Sequence, residues 1–543
     1  MAVAGAGIVV ALIATSGPRS DASPVHDVGD AHRPAREDFV GAEACASCHG
    51  EIFEAWRSST HGQAGGPPTP DRVLAPFDGT PIRFADAVVV PSRTPDGGFI
   101  FTVNRPRREQ IVFQVEGVVG GGHLLGGGTQ GFMSRFSDGT LRFLPFDWSR
   151  QEGTWFCNTA PLAGWWDPGG GHPDLRADSG WTPITSEMEI TECGDWPPIR
   201  VLGTDWRFAN CQGCHGSQIS AEFVREEGRY RTSYTSLAIN CESCHGPGRE
   251  HVEAARMGTL APGGPGEMDD LGGLSEDGSL GTCFRCHAVK RELEPGYLAG
   301  EEDFESHYSV GVHLVGEAPF LPDGRVRSFA YQLNHRYSDC YLSGRMTCVS
   351  CHEPHGQTYQ DVFERPLDSP FDDGQCLGCH AAKAQDPESH TRHPPASDGA
   401  RCVSCHMPYR QQPNVGDRIP YARSDHTISI PRPGVDEALG LRSACGLCHE
   451  EMSPTEARGH VDDWYGATKP LRPVVGGLIA VETGRGARPS RSRAARLLLH
   501  PGTDHPLAQI AALNRFVEGW LEPGGGALEE EVREPLESLA ESP

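Results

Sequence analysis

Apolar and polar positions change their pattern several times along the chain, and each change predicts a different kind of structure. The opening MAVAGAGIVVALIATSG carries an apolar stretch of about fourteen residues, the length of an export-signal core and short for a membrane span. No Lys or Arg precedes it, so a cleaved signal and a retained N-terminal anchor both stay open. Residues 18 to 38 read as a polar linker, and Glu51 to Thr60 has helical spacing. From 71 to 205, runs such as GFIFTVNR, EQIVFQVEGVV and GTLRFLPFDW set β-favouring residues between Gly, Pro and Asp turns, which predicts a β-rich insertion. Its glycine string VEGVVGGGHLLGGGTQG lacks the strand and helix context of a nucleotide loop and predicts a hairpin or close packing. Residues 261 to 281, rich in Gly and acids, read as a surface loop. After residue 449 the period turns helical: Pro506 sits at a first helical turn, followed by an apolar face of Leu507, Ile510, Leu513, Val517 and Trp520.

Composition narrows the function classes. Of 543 residues, 37% are hydrophobic and 22% charged, while Gly and Pro together stay below the level of a low-complexity chain. No apolar run is long enough for a polytopic membrane protein. The net charge of -26 argues against general affinity for nucleic acid or anionic lipid. The one basic run, GRGARPSRSRAAR at 484 to 496, is either a solvated helix face or a docking patch for an acidic partner.

The 19 cysteines and 24 histidines alter the picture most. Composition alone would give roughly 0.03 copies of C-x-x-C-H in such a chain. There are eight, with thiols at Cys45 and Cys48, Cys211 and Cys214, Cys241 and Cys244, Cys283 and Cys286, Cys348 and Cys351, Cys376 and Cys379, Cys402 and Cys405, and Cys445 and Cys448. Two thiols at this spacing add across the two vinyl groups of one haem, and the adjacent histidine lies beneath the ring as an axial iron ligand. The motifs therefore predict eight covalently bound haem c groups with iron on His49, His215, His245, His287, His352, His380, His406 and His449. Zinc knuckles do not require His after the second Cys in every copy, and a disulfide framework would not repeat one five-residue string. Three thiols remain. Haem attachment occurs outside the cytoplasm, where disulfides persist, so Cys157 and Cys193 are candidates for a disulfide. Cys340 then stays single and reads as a small buried hydrophobe.

A second histidine on an iron makes it six-coordinate and suited to electron transfer, whereas an open position permits substrate chemistry. Candidates for the second ligand are His61 after the first motif, His251 in CESCHGPGREH, His355 in CVSCHEPHG, and His426 in RSDHTISIP. His355 is too close to His352 to bind the same iron from the other face, so it is assigned to a neighbouring haem. Of His390 and His393 one is expected to be a ligand and the other a surface residue, with His393 preferred. His307, His313 and His335 lie in the long interval between the fourth and fifth motifs and complete the set. His123, within the glycine string, stays open, and His500 and His505 read as surface residues.

From Cys211 to His449 seven motifs occupy 239 residues, about 34 per haem. So little chain per cofactor cannot build an ordinary core; the porphyrins must supply the buried apolar surface, with short helices and loops around them. The organisation predicted is an export signal or N-terminal anchor plus linker at 1–38, a first haem module at 39–70, the β-rich insertion at 71–205, a seven-haem domain at 206–455, and an α-helical C-terminal module at 456–543.

GAEACASCHGEIFEAWRSSTHGQA, NCESCHGPGREH, SDCYLSGRMTCVSCHEPHG and HTRHPPASDGARCVSCHMPYR with RSDHTISIP resemble multihaem c-type cytochromes, particularly the exported group related to tetrahaem cytochromes c, octahaem nitrite reductase and hydroxylamine oxidoreductase. The resemblance covers roughly residues 40 to 62 and 206 to 450. The resemblance implies a mostly α and irregular multihaem cytochrome c fold organised around covalent haems, with the β-rich insertion and a short tetratricopeptide-like or HEAT-like helical tail. It also implies bis-histidine haems in stacked and perpendicular pairs and a role in respiratory electron transfer. The expected function is an exported octahaem cytochrome, periplasmic or extracellular, that relays electrons between redox proteins, with a homo-oligomer or filament left open. The alternative is an oxidoreductase of a small nitrogen or sulfur compound at one haem with an open distal site. Nitrite-reducing relatives use Lys in place of the motif His at the catalytic haem, and no C-x-x-C-K occurs here. Hydroxylamine oxidoreductase relatives crosslink a Tyr to theirs, and nothing in this sequence marks one.

Overall fold

The computed structural model describes residues 34–121, 129–150, 152–157, 182–193, 196–203, 214–268, 270–294, 299–300, 303–311, 320–326, 330–344, 346–408, 424–484, 488–521 and 527–541. His123, Cys211 and His313, together with the N-terminal apolar segment, lie outside them.

The alternating runs form one antiparallel sheet of ten strands: β1 (Gly65–Gly66), β2 (Ile82–Arg83), β3 (Val88–Arg93), β4 (Phe99–Asn104), β5 (Ile111–Gly120), β6 (Thr129–Arg135), β7 (Leu141–Phe143), β8 (Phe146–Ser149), β9 (Thr154–Cys157) and β10 (Thr182–Pro183). Its order is β10-β9-β8-β6-β5-β4-β3-β2, with β1 added on β5 and β7 on β6. In β4 the period of two buries Phe99, Phe101 and Val103 on one face. There they meet Phe77, Phe132 and Phe146, and ring pairs such as Phe77–Phe99, 5.2 Å apart and edge-on, fix the packing.

Cys157 and Cys193 are joined as a disulfide within this core, their Cα atoms 5.2 Å apart. Removing both sulfurs by C157A/C193A is expected to lower the stability of the sheet by about 2–4 kcal/mol, the usual scale for a loop of this length. Tryptophan fluorescence during chemical unfolding, compared with the parent protein, checks this; coincident unfolding curves would refute it.

The sheet also holds the first candidate distal ligand. β1 follows His61 after three residues and pairs Gly65 with Val119 and Gly66 with Val118. A Cβ on Gly65 would sit 2.2 Å from the Leu237 carbonyl oxygen, so only glycine lets the strand pass that close to the segment leading into the third motif. On that segment, Ile239 N donates to the His61 carbonyl at 3.2 Å, and Trp56 Nε1 donates to the Ile239 carbonyl at 2.7 Å.

Around the motifs the chain forms short helices and turns. The expected helix after the first motif runs Gly50–Ser58. The stretch 261 to 281 is only partly a loop: a helix, Glu276–His287, begins inside it, because Ser275 caps the Gly278 N–H and Leu280 and Phe284 supply a buried face. Beyond the last motif the described residues form five helices: α1 (Pro454–Tyr465), α2 (Pro473–Thr483), α3 (Arg491–Leu498), α4 (Pro506–Trp520) and α5 (Glu530–Ala540). Pro506 does start α4, but its most buried positions are Leu507, Ala508, Ala511, Ala512 and Phe516. The alanines let α3 approach through Ala494 and Ala495, so small residues mark the packed face together with Leu507 and Phe516. His505 is buried rather than on the surface: its Nδ1 accepts from the Ala508 N–H, capping α4, and its ring packs 4.1 Å from Tyr337. No helix among the described residues is long and apolar enough to cross a membrane.

Candidate functional site

Five of the motifs close the same tight turn, and those ending at His287 and His406 lie within helices. The histidine N–H donates to the carbonyl of the first cysteine, at 2.9 Å for His49 to Cys45 and 3.0 Å for His352 to Cys348, with His245, His380 and His449 alike. One turn of chain thereby gathers both thiols and the imidazole on one side, as attachment to one flat group requires.

The folded chain then opposes these histidines with others. Ring centroids lie 6.3 Å apart for His49 and His251, 6.2 Å for His287 and His61, 6.3 Å for His245 and His355, 6.4 Å for His352 and His426, 6.2 Å for His406 and His390, and 6.0 Å for His449 and His393. Two imidazoles binding one metal through nitrogen bonds of about 2.0 Å each put their ring centres about 6 Å apart. The spacing of all six pairs therefore fits an iron between them, and the residues present fit a haem with two axial histidines. The rings are close to parallel in two pairs, 4° for His245–His355 and 5° for His390–His406, and inclined by 45° for His61–His287.

Second contacts orient the opposing rings. Nδ1 of His251 donates to the Gly266 carbonyl (3.0 Å), that of His393 to Thr391 (2.7 Å) and that of His426 to Ser424 (2.8 Å), leaving Nε2 for a metal. Burial, with His215 nearby as a lesser cause, holds His61 down to about 4, and burial does the same to His287 and His352. Their imidazoles are neutral at pH 7, the form that ligates.

Of the candidate ligands read from sequence, His61, His251, His355, His393 and His426 each face a motif histidine. His355 faces His245, not its neighbour His352. His390, set down as a surface residue, faces His406; it and His393 occupy one short helical turn, and each reaches a different motif. The signal for both was that two motifs follow them in sequence. Among the described residues neither His307 nor His335 sets its ring opposite a motif histidine, although His335 is within electrostatic reach of His352. His307 directs Nδ1 to the Glu294 carbonyl and Nε2 toward Asp303, while His335 spends Nε2 on the Met346 carbonyl at 2.7 Å. Among the described residues no histidine ring faces His215 or His380.

The motifs also touch one another, out of sequence order. Cys45 lies beside Cys241, Cys283 beside Cys348, and Cys376 beside Cys402. Cys214 Sγ lies 3.5 Å from the Cys286 carbonyl. Cys244 is within electrostatic reach of Cys283 and Cys286, Cys351 of Cys376 and Cys379, and Cys405 of Cys445 and Cys448. The contacts thread the motifs in the order first, third, fourth, fifth, sixth, seventh and eighth, with the second attached at the fourth.

No family model matches the chain. It is similar to the multiheme cytochrome MtrA of Shewanella baltica (strain OS185), 26% identical over 186 residues that make up 32% of this chain and 53% of MtrA. The chain thus spans about half the length of this curated relative. Two solved structures are also similar to it. The outer cell wall cytochrome OcwA is 16% identical, with 93% of this chain and 99% of that chain covered at a TM-score of 0.47. The octaheme sulfite reductase MccA of Wolinella succinogenes is 16% identical, with 72% of this chain and 58% of that chain covered at a TM-score of 0.31.

Proposed function

We infer that this chain, a multihaem c-type cytochrome, is exported and relays electrons one at a time between redox partners along its row of motifs. When bound, each covalently held haem supplies a one-electron iron couple. Everything else in the relay belongs to the protein. Sixteen motif cysteines would fix the groups, and the eight motif histidines, with His61, His251, His355, His390, His393 and His426 opposite six of them, would hold their irons. The observation that carries this reading is the set of six opposed histidine pairs at 6.0–6.4 Å, since two strong nitrogen ligands leave no position for a substrate. Contacts between motif cysteines favour transfer over short steps from the first motif to the eighth. The net charge of -26, made more negative by two propionates on each haem, favours basic redox proteins as partners at low salt.

Low-temperature electron paramagnetic resonance of the oxidised holoprotein tests the relay. The expected spectrum is dominated by low-spin ferric signals from bis-histidine irons. A high-spin ferric signal of stoichiometric size would overturn a pure carrier, and the motif of His215 or His380 would then be the place for an oxidoreductase acting on a small nitrogen or sulfur compound.

A further inference from the structure

The opposing histidine of the third motif differs chemically from the rest. His251, His393 and His426 give their Nδ1–H to neutral peptide carbonyls. His355, which faces His245, gives its Nδ1–H to the carboxylate of Glu353, with Nδ1 to Oε1 at 3.0 Å. Of the six opposing rings, His355 is the one with an anionic acceptor among the described residues. The contact is built rather than incidental. The same carboxylate accepts the backbone N–H groups of His355 at 2.9 Å and Gly356 at 2.6 Å, so three hydrogen bonds hold it against the ring. Its own backbone is tied down as well, since Glu353 N donates to the Thr358 carbonyl at 3.0 Å.

We propose that Glu353 is a positioning residue that lowers the reduction potential of the haem held by Cys241, Cys244, His245 and His355 below those of its neighbours in the row. This rests on the axial pairs described above. A carboxylate on the far nitrogen of a ligating imidazole draws the proton toward itself and makes the ligand a stronger electron donor, and its charge favours the more highly charged oxidation state of the metal. A peptide carbonyl does this more weakly. The consequence lies in the order of the motifs: the third stands between the first and the fourth, so its haem becomes a thermodynamic step that every electron passing between the first motif and the rest must climb. The terminal haem of the first motif is thereby set apart as a separate store, and a carboxylate 3.0 Å from one ring sets the height of the barrier.

Glu353→Gln in the full holoprotein tests the proposal, because it keeps a side chain of the same shape and an acceptor for Nδ1–H while removing the charge. A redox titration followed by electron paramagnetic resonance is expected to show one low-spin signal shifting to higher potential, the number of low-spin signals unchanged and the other midpoints in place. Glu353→Ala, which removes the hydrogen bond as well, is expected to move the same signal in the same direction. Glu364→Gln, which removes an exposed carboxylate of the same segment, should move none. Midpoints identical to the parent in both Glu353 variants, with the low-spin signals intact, would overturn the proposal and leave the axial pairs standing. Absence of low-spin signals in the parent itself would instead strike the pairing on which it depends.

Discussion

Made without haem attachment, the protein is expected to keep its β-sheet and its C-terminal helices and to lose the stretch between Cys348 and His449. The reason is the distribution of apolar burial. The sheet has a cluster of phenylalanines at its centre, and α2 to α5 share a core of Val474, Leu478, Leu498, Phe516 and Val532. Between Cys348 and His449, the buried apolar residues among those described are Ala400, Val403 and Ala444. Three small side chains cannot offset roughly 1–2 kcal/mol of backbone entropy for each residue they would have to order. The elements there are correspondingly brief: the turns Cys348–Ser350 and Cys445–Leu447 and the helices Gly374–Leu377 and Cys402–His406 are each five residues or fewer. Helices of this size have no stability of their own. In the holoprotein the faces of the porphyrins would take the place of the missing core. Limited proteolysis of protein produced without the attachment machinery, with fragments mapped by mass, should find cuts spread through 348–449 and a resistant β fragment. A protected 348–449 segment in haem-free protein would show that side chains alone hold it.

The same distribution explains which parts of the molecule were legible in the sequence. The motifs could be read because covalent attachment demands its residues in one contiguous string. The sheet could be read because alternation in FIFTV is a local property of a strand with one buried face. The opposing histidines are different: their role depends on which ring the fold places across from which, and nothing local distinguishes His390, which meets His406, from His307, which turns to the Glu294 carbonyl. Position just after a motif was a useful sign for His61, His251 and His355. The long interval before the fifth motif offered no such sign, and there His335 is buried with its Nε2 on the Met346 carbonyl. The α4 face was legible only in part: Leu507 is buried and Leu513 and Trp520 pack against the core, but the alanines beside them carry no signal. Close contact with α3 selects alanines, while Ile510, Leu513 and Val517 are only partly buried.

His426→Met is expected to interrupt the row at its middle without unfolding it. His426 opposes His352 of the fifth motif, whose thiols link to the fourth motif through Cys283 and to the sixth through Cys351. In the relay proposed above, electrons crossing from the first four motifs to the last three would pass this site. The loop that presents position 426 is anchored by its neighbours rather than by the imidazole. Buried Asp425 accepts from Thr427 N at 3.0 Å and from Thr427 Oγ1 at 2.7 Å, and it meets Arg325 Nη1 at 2.9 Å; Arg325 in turn is paired with buried Asp323. Those contacts survive the substitution. Methionine opposite histidine raises the potential of a c-type haem relative to two histidines. The altered site then holds the electron it receives: the equilibrium for onward release becomes about tenfold less favourable for every 59 mV by which its potential rises, and release slows with it. Stopped-flow reoxidation of the fully reduced protein, together with a potentiometric titration, reads both quantities. The expected result is one raised midpoint and a slow phase whose rate follows that rise. A raised midpoint with reoxidation as fast as in the parent would mean that electrons cross between the two halves without passing His352, and the linear order of the motifs would have to be abandoned.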